Sequence, residues 1–449
     1  MKNFTLSEIA FACGGKYVGD VALSQSAVTS VERDSRQIKD GSLFLAIKGE
    51  RVDGHDFIEK CYDAGAICAL CEKAPENPTK PYILVDSTLE AVKLIAKAYR
   101  NKFDIPVVGV SGSVGKTSTK EMLYAVLSQK YKTHKTQGNL NNELGVPLTL
   151  LSMPEDTECA VIEMGISDFG EMSRLSQMVQ PTVCVLTIIG ECHLENLGDR
   201  DGVLRAKTEM FDFASDNAEY ILNGDDDKLF TVDSVRGKKP IFFGFASDND
   251  YHAEDIENNC ESGIECTLCF DETRLPVTIP AIGNYMVSNA LAAVAAGRLL
   301  GLSDEQLVSG VQSYKTVGGR ANVINTGKIR IIDDCYNANP TSVRASVDAL
   351  MNFAGRRVAI LGDMKELGEN ELALHRETGV YAKQKGVDLV VAVGPLAKEL
   401  AKGANGIWYD TIENAEKMIK NLVHEGDTVL VKASHSMNFD AIVTMLKNL

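Results

Sequence analysis

The stretch Gly109-Val110-Ser111-Gly112-Ser113-Val114-Gly115-Lys116-Thr117-Ser118 constrains this chain more than any other. It follows the apolar run IPVVGVS and leads into TSTKEMLYAVLSQKY, in which Met122, Leu123, Val126 and Leu127 share a helical face. Strand, glycine-rich turn and helix in that order form an anion cradle. The N–H groups of the turn and of the first helical turn converge at the positive end of the helix dipole. The backbone of Gly112, Ser113, Gly115, Lys116, Thr117 and Ser118 is therefore expected to hold phosphates, with Lys116 reaching the terminal ones and Thr117 ligating magnesium. The usual phosphate-loop spacing begins with a glycine where this chain has Val110, whereas here glycines recur at 109, 112 and 115.

A βα rhythm surrounds this turn. Strand-like runs ECAVIEMG, TVCVLTIIG and AEYILNG follow it, with helical stretches between them, which predicts a mostly parallel sheet. A second alternation, IRIIDDCYN, RRVAILGD, DLVVAVG and DTVLVKAS, begins after the glycine pair of TVGGRANV. The chain has 449 residues, enough for about three domains at roughly 150 residues each. The expected fold class is α/β with three domains. A smaller α/β N-terminal domain covers 1–103, a central P-loop domain with a mostly parallel sheet covers 104–317, and a C-terminal doubly wound, Rossmann-like domain covers 318–449.

Composition excludes some partners. A net charge of -16 argues against a nucleic-acid footprint, which needs basic patches. No run of 18 apolar residues and no leader-like start is present, so a cytoplasmic protein without membrane insertion is expected. Eleven cysteines, an odd number without a signal peptide, read as reduced thiols. Cys68 and Cys71, like Cys266 and Cys269, sit three apart on strand-like segments and so face opposite ways, which argues against a shared metal. The triplet Asp225-Asp226-Asp227 reads as a solvated turn.

Carboxyl ends of parallel strands share one sheet edge, where ligands bind. Glu163 ends AVIEMG and His193 stands just past VCVLTIIG, so both are expected to face the phosphate turn. A carboxylate suits magnesium, and an imidazole can ligate or support it. Each residue alone reads equally as a helix-capping acid or a loop histidine.

The segments DDCYNANPTSVRASVDAL (333–350) and LGDMKELGENELALH (361–375) closely resemble the Mur ligases of bacterial cell-wall synthesis, in the branch that adds D-alanyl-D-alanine. DSRQIKDGSLFLAIKGERVDGHDFI is similar to that family's UDP-binding amino domain, TQGNLNNELGVPLTLL to its substrate-facing loop, and GVLRAKTEMF to its modified-lysine segment. The family also spaces its phosphate-turn glycines as this chain does. The resemblance implies an ATP- and Mg2+-dependent ligase, acting as a cytoplasmic monomer. Its substrates would be UDP-N-acetylmuramoyl-tripeptide and D-alanyl-D-alanine, joined through an acyl phosphate. It further implies that Glu163 and His193 hold a second magnesium and that Lys207 is carbamylated and acts as a metal ligand. Asn289, Arg320, Asp334, Asn337 and Asn339 would touch the nucleotide; Ser35, Arg36, Asn139 and Asn142 would touch the UDP-sugar substrate. Two family motifs differ here, reading Gly283-Asn284-Tyr285-Met286-Val287-Ser288-Asn289 and Lys432-Ala433-Ser434-His435. The Asp-x-Pro-Arg segment of diaminopimelate-adding relatives is absent.

Overall fold

The computed structural model describes residues 1–49 and 51–449, and the chain builds three sheets. The first holds β1 (Lys16–Val18), β2 (Ser30–Glu32), β3 (Ser42–Leu45), β4 (Cys68–Cys71) and β5 (Tyr82–Leu84) in the order β1-β5-β4-β3-β2, with β1 antiparallel. The central sheet holds β6 (Val107–Ser111), β7 (Thr133–Lys135), β8 (Cys159–Glu163), β9 (Val183–Leu186), β10 (Glu219–Asn223), β11 (Ile241–Phe243), β12 (Tyr251–Asn258), β13 (Ile264–Phe270) and β14 (Thr273–Ile279). The third holds β15 (Asn322–Asn325), β16 (Arg330–Asp333), β17 (Arg357–Gly362), β18 (Leu389–Val393), β19 (Ile407–Tyr409) and β20 (Thr428–Lys432), ordered β15-β16-β20-β17-β18-β19. The α/β class with a mostly parallel central sheet and a doubly wound third sheet matches the sequence expectation.

Period-2 burial explains the layers. Val358 and Ile360 enter one core of the third sheet while Ala359 and Leu361 enter the other. In β8, Ala160 and Ile162 face a core shared with the first domain, and Cys159 and Val161 face the opposite one. The first domain is tied to the central one by buried polar contacts: the Tyr99 hydroxyl donates to the Met153 carbonyl at 2.8 Å and Arg100 Nε to the Val179 carbonyl at 3.0 Å. The cysteine pairs behave as their spacing predicts. Cys68 joins the core that holds Leu70, and Cys71 the one that holds Ala69.

Two features depart from the sequence reading. The central sheet continues past β11 through β12, paired in parallel, and then through β13 and β14, each antiparallel to the strand before it, with the two-residue loop Asp271-Glu272 closing the last hairpin and Asp271 at φ +47. The acidic triplet is not a solvated turn throughout. Asp226 is buried and accepts from the backbone N–H groups of Ile189, Lys228 and Leu229, so it holds the end of β10 to the loop after β9.

Sheet order fixes where chemistry can occur. In the order β14-β13-β12-β11-β10-β9-β6-β8-β7, the chain leaves β6 toward β7 and β8 on one side and reaches β9 on the other. The carboxyl end of β6 is thus the switch point, where a crevice opens. No helix among the described residues is long and apolar enough to cross a membrane.

Candidate active site

The phosphate turn occupies that crevice. Gly112 has φ +149, and a Cβ there would lie 1.9 Å from Thr187 Oγ1, so only glycine lets the turn pass β9's end. Gly115, at φ +86, precedes the helix Lys116–Leu127 and supplies no side-chain cap. The N–H groups of that helix's first turn consequently lack both an intrahelical and a capping acceptor, which is the physical requirement for binding an anion. Lys116 Nζ rests 2.8 Å from the Gly112 carbonyl, and burial lowers its pKa from the usual lysine value.

A cavity of about 440 Å³ opens from this turn toward the third domain. Thr117, Glu163, His193, Asn289, Arg320, Asp334, Asn337 and Asn339 all border it, so residues 113 to 339 converge on one space. Thr117 Oγ1 donates to Glu163 Oε1 at 3.1 Å and receives Arg320 Nη2 at 3.0 Å. Arg320 lies 3.9 Å over the Tyr336 ring, which stacks obliquely on His435. Asp334 Oδ2 accepts from Ser346 and from buried Lys432, both at 2.6 Å. Asn289 Oδ1 accepts from Thr119 at 2.9 Å, tying the helix Tyr285–Leu299 to the phosphate turn. Asn339 caps the helix Pro340–Met351 through a reciprocal pair with Ser342, so its side chain also has a local task.

Glu163 carries the test for a metal. Its Oε1 accepts from Thr117 and from Asn141 Nδ2 at 2.7 Å, but its buried Oε2 has no hydrogen-bond partner, only Lys120 Nζ at 3.5 Å. A buried carboxylate oxygen left without a donor, beside a threonine hydroxyl in a cavity that His193 also borders, suits a hard cation. Lys207 is 1% exposed and makes neither ion pair nor hydrogen bond among the described residues. Burial, with Lys116 nearby, brings its pKa down to about 8. It does not border the cavity itself but lies behind it, near Cys192, whose thiol sits 3.0 Å from the Ser113 hydroxyl.

The substrate candidates divide. Asn142 borders the cavity and caps Leu144 and Gly145, while Asn139, Ser35 and Arg36 do not border it. Arg36 is largely exposed and held on Asp34 at 2.6 Å. Sequence reading left Lys120, Asn141, Tyr336 and Glu366 without roles. Lys120 could have been noticed as a second lysine one helical turn after Lys116, and Asn141 as the neighbour of Asn142.

The segment between β17 and the helix Glu371–Lys385 meets His193 through Glu366. His375, fully buried, accepts the Met364 N–H at its Nε2 and bonds the Glu371 carbonyl through Nδ1 at 2.6 Å, closing both ends of the loop. Burial lowers its pKa below 6.5, with Asp363 and Glu371 opposing that shift and Lys365 adding to it. The unfolded chain therefore takes up a proton that the native loop resists. Stability is complete above about pH 6.5 and falls as pH drops below it, by at most about 1.4 kcal/mol per pH unit from this group. Trp408, the sole tryptophan, lies in this domain and reports its unfolding in urea. His375→Gln should flatten the slope between pH 7 and 5, and an unchanged slope would contradict the assignment.

A P-loop at the switch point of one sheet, with a second doubly wound domain completing its cavity, is the architecture of a nucleotide-using three-domain α/β protein. Three family profiles cover the chain in order: Mur ligase family, catalytic domain, over 27–100; Mur ligase middle domain over 110–297; and Mur ligase, glutamate ligase domain, over 319–435. The chain belongs to the Mur ligase family. It is 37% identical over 431 residues to the UDP-N-acetylmuramoyl-tripeptide--D-alanyl-D-alanine ligase of Bacillus subtilis, covering 93% of each chain. Its fold superposes on MurF from Acinetobacter baumannii with a TM-score of 0.93 at 32% identity over all of both chains. MurF from Thermotoga maritima, solved in complex with ADP, gives 0.83 at 31% identity, covering 93% of this chain and 97% of that one.

Proposed function

We propose that this chain joins D-alanyl-D-alanine to UDP-N-acetylmuramoyl-tripeptide at the expense of ATP, a step of peptidoglycan precursor synthesis. The observation that carries the reading is the cavity shared by the phosphate turn and the third domain, in a chain similar along nearly its whole length to ligases of that name. In this reading residues 1–103 bind the UDP-sugar, 104–317 the ATP and 318–449 complete the ligase site. The chain works as a monomer in the cytoplasm.

Amide formation from a carboxylate needs an activated acyl group. The tripeptide's terminal carboxylate attacks the γ-phosphate, giving an acyl phosphate and ADP; the dipeptide's amine then attacks the acyl carbon, loses its proton, and phosphate departs. The first-turn N–H groups and Lys116 hold the phosphates and meet the charge that develops on the transferring group. Arg320 and Asn289 orient the nucleotide from two domains, so the site is complete only when they meet. Magnesium, held by Thr117, Glu163, His193 and a carbamylated Lys207, would neutralise phosphate charge. Asn142 with Asn139, and Ser35 with Arg36 on the first domain, are assigned to the UDP-sugar.

Acceptor choice tests the reading. ATP-dependent phosphate release should be at least about 100-fold faster with UDP-N-acetylmuramoyl-tripeptide plus D-alanyl-D-alanine than with the corresponding dipeptide precursor plus lysine or diaminopimelate. The chain lacks the arginine motif that would pair with a free amino acid's distal charge. Equal or faster turnover of the second pair would overturn the substrate assignment and leave an ATP-dependent ligase. Phosphate release with neither pair would leave only a nucleotide-binding protein.

A further inference from the structure

His193 meets the third domain in a way the proposed chemistry does not require by itself. Its Nδ1 lies 2.6 Å from Glu366 Oε2, a residue of the loop after β17 and 173 positions along the chain. Both residues hold left-handed backbones unusual for side-chain-bearing residues, φ +52 at His193 and φ +64 at Glu366. Such conformations persist where the surroundings over-determine them, and they concentrate at functional sites. The segments around them also touch: Thr341 Oγ1 donates to Glu191 Oε2 at 2.8 Å, and a side chain added at Gly368 would come within 3.5 Å of the Glu195 backbone nitrogen.

We propose that Glu366 is a positioning residue for His193, fixing its ring and tautomer from across the cleft so that His193 becomes a competent metal ligand only when the two domains are together. A carboxylate accepts and does not donate, so Nδ1 carries the proton in this contact and the lone pair is left on Nε2. His193 borders the same cavity as Thr117 and Glu163, whose Oε2 lacks a donor. A carboxylate on the far nitrogen of a metal-binding histidine orients the ring and makes it a better ligand. Here the carboxylate comes from the opposite domain, so closure and metal binding become one linked equilibrium, and each favours the other. The inference rests on His193 being a metal ligand, as proposed above.

The test uses the full chain saturated with ADP and Mn2+ as the probe, with free Mn2+ followed by electron paramagnetic resonance. Glu366→Ala should weaken Mn2+ binding by about 10- to 100-fold. Glu366→Gln, which keeps an acceptor oxygen without the charge, should fall between. Glu366 is more than half exposed, so neither change threatens folding. In ¹⁵N spectra of the imidazoles, His193 should be the Nδ1–H tautomer in the parent and a mixture in Glu366→Ala. If His193→Ala weakens Mn2+ binding while Glu366→Ala stays within about twofold of the parent, well below the expected loss, the positioning role is overturned and the ligand assignment survives. If His193→Ala itself binds Mn2+ normally, the ligand assignment falls and this inference with it. A loss of affinity in Glu366→Ala with the tautomer unchanged would reduce the contact to domain docking, and also overturns the role.

Discussion

Replacing Lys116 with alanine is expected to cut ligation by about 10²- to 10³-fold or more, the usual cost of losing a principal electrostatic stabiliser of a developing anion. The fold should not suffer. The Lys116 ammonium has a single hydrogen bond among the described residues, to the Gly112 carbonyl, and Lys116 itself borders the cavity, which water enters once the side chain is removed. Gly115 and the first-turn N–H groups remain, so ADP should still bind, more weakly. Loss should therefore concentrate in the phosphoryl-transfer step. Rapid-quench measurement of ADP formation in a single turnover, beside calorimetric titration of ADP, separates the two. Lys116→Arg should not restore the rate, since a planar guanidinium cannot take the place of a compact ammonium in so enclosed a turn. A variant within about tenfold of the parent would remove Lys116 from the chemistry.

The turn was readable because everything that makes it is local: β6, the glycines and the helix Lys116–Leu127 are contiguous, and Gly112 and Gly115 take the positive φ that glycine allows. Glu163 and His193 were readable one step less directly, through the rule that parallel strands end on the same edge. The opposite-facing cysteines followed from strand periodicity alone. What could not be read are contacts whose partners are far apart in the chain. Lys120 is an ordinary helix residue until β8 brings Glu163 to it, and Glu366 has no motif value until the third domain lies against His193. Asp226 failed for the same reason. Three consecutive acids look solvated, yet the middle one turns inward because the backbone of residue 189 needs an acceptor there. The strand β12 was missed because its alternation breaks, with Glu254 and Asp255 both exposed in its middle.

Electrostatics around Glu163 leads to the second large effect. Lys116, Lys120, Arg320 and Lys207 surround or back a space bordered by two buried carboxylates, Glu163, with Lys120 already opposite it, and Asp334, which Lys432 already pairs. Adding a divalent cation to such a cluster is unfavourable unless one positive charge is removed. Lys207 is the one that can change sign at little structural cost: it has no acceptor to lose among the described residues, and with a pKa of about 8 a useful fraction is the neutral amine that attacks carbon dioxide. A carbamate converts this cation into an anionic ligand at the same place. Lys207→Ala should still fold, because the side chain holds no hydrogen bond or ion pair among the described residues, and should lose activity by about 10³-fold through failure to hold the metal. Formate, acetate or propionate should restore part of the rate in a saturable way, as the anion fills the space the side chain left. Growth of the parent protein in ¹³C-bicarbonate should yield a carbamate carbonyl resonance that is absent from the variant. Full activity in Lys207→Ala would end the carbamate assignment; inactivity without rescue and without the resonance in the parent would make Lys207 a buried cation of the phosphate site.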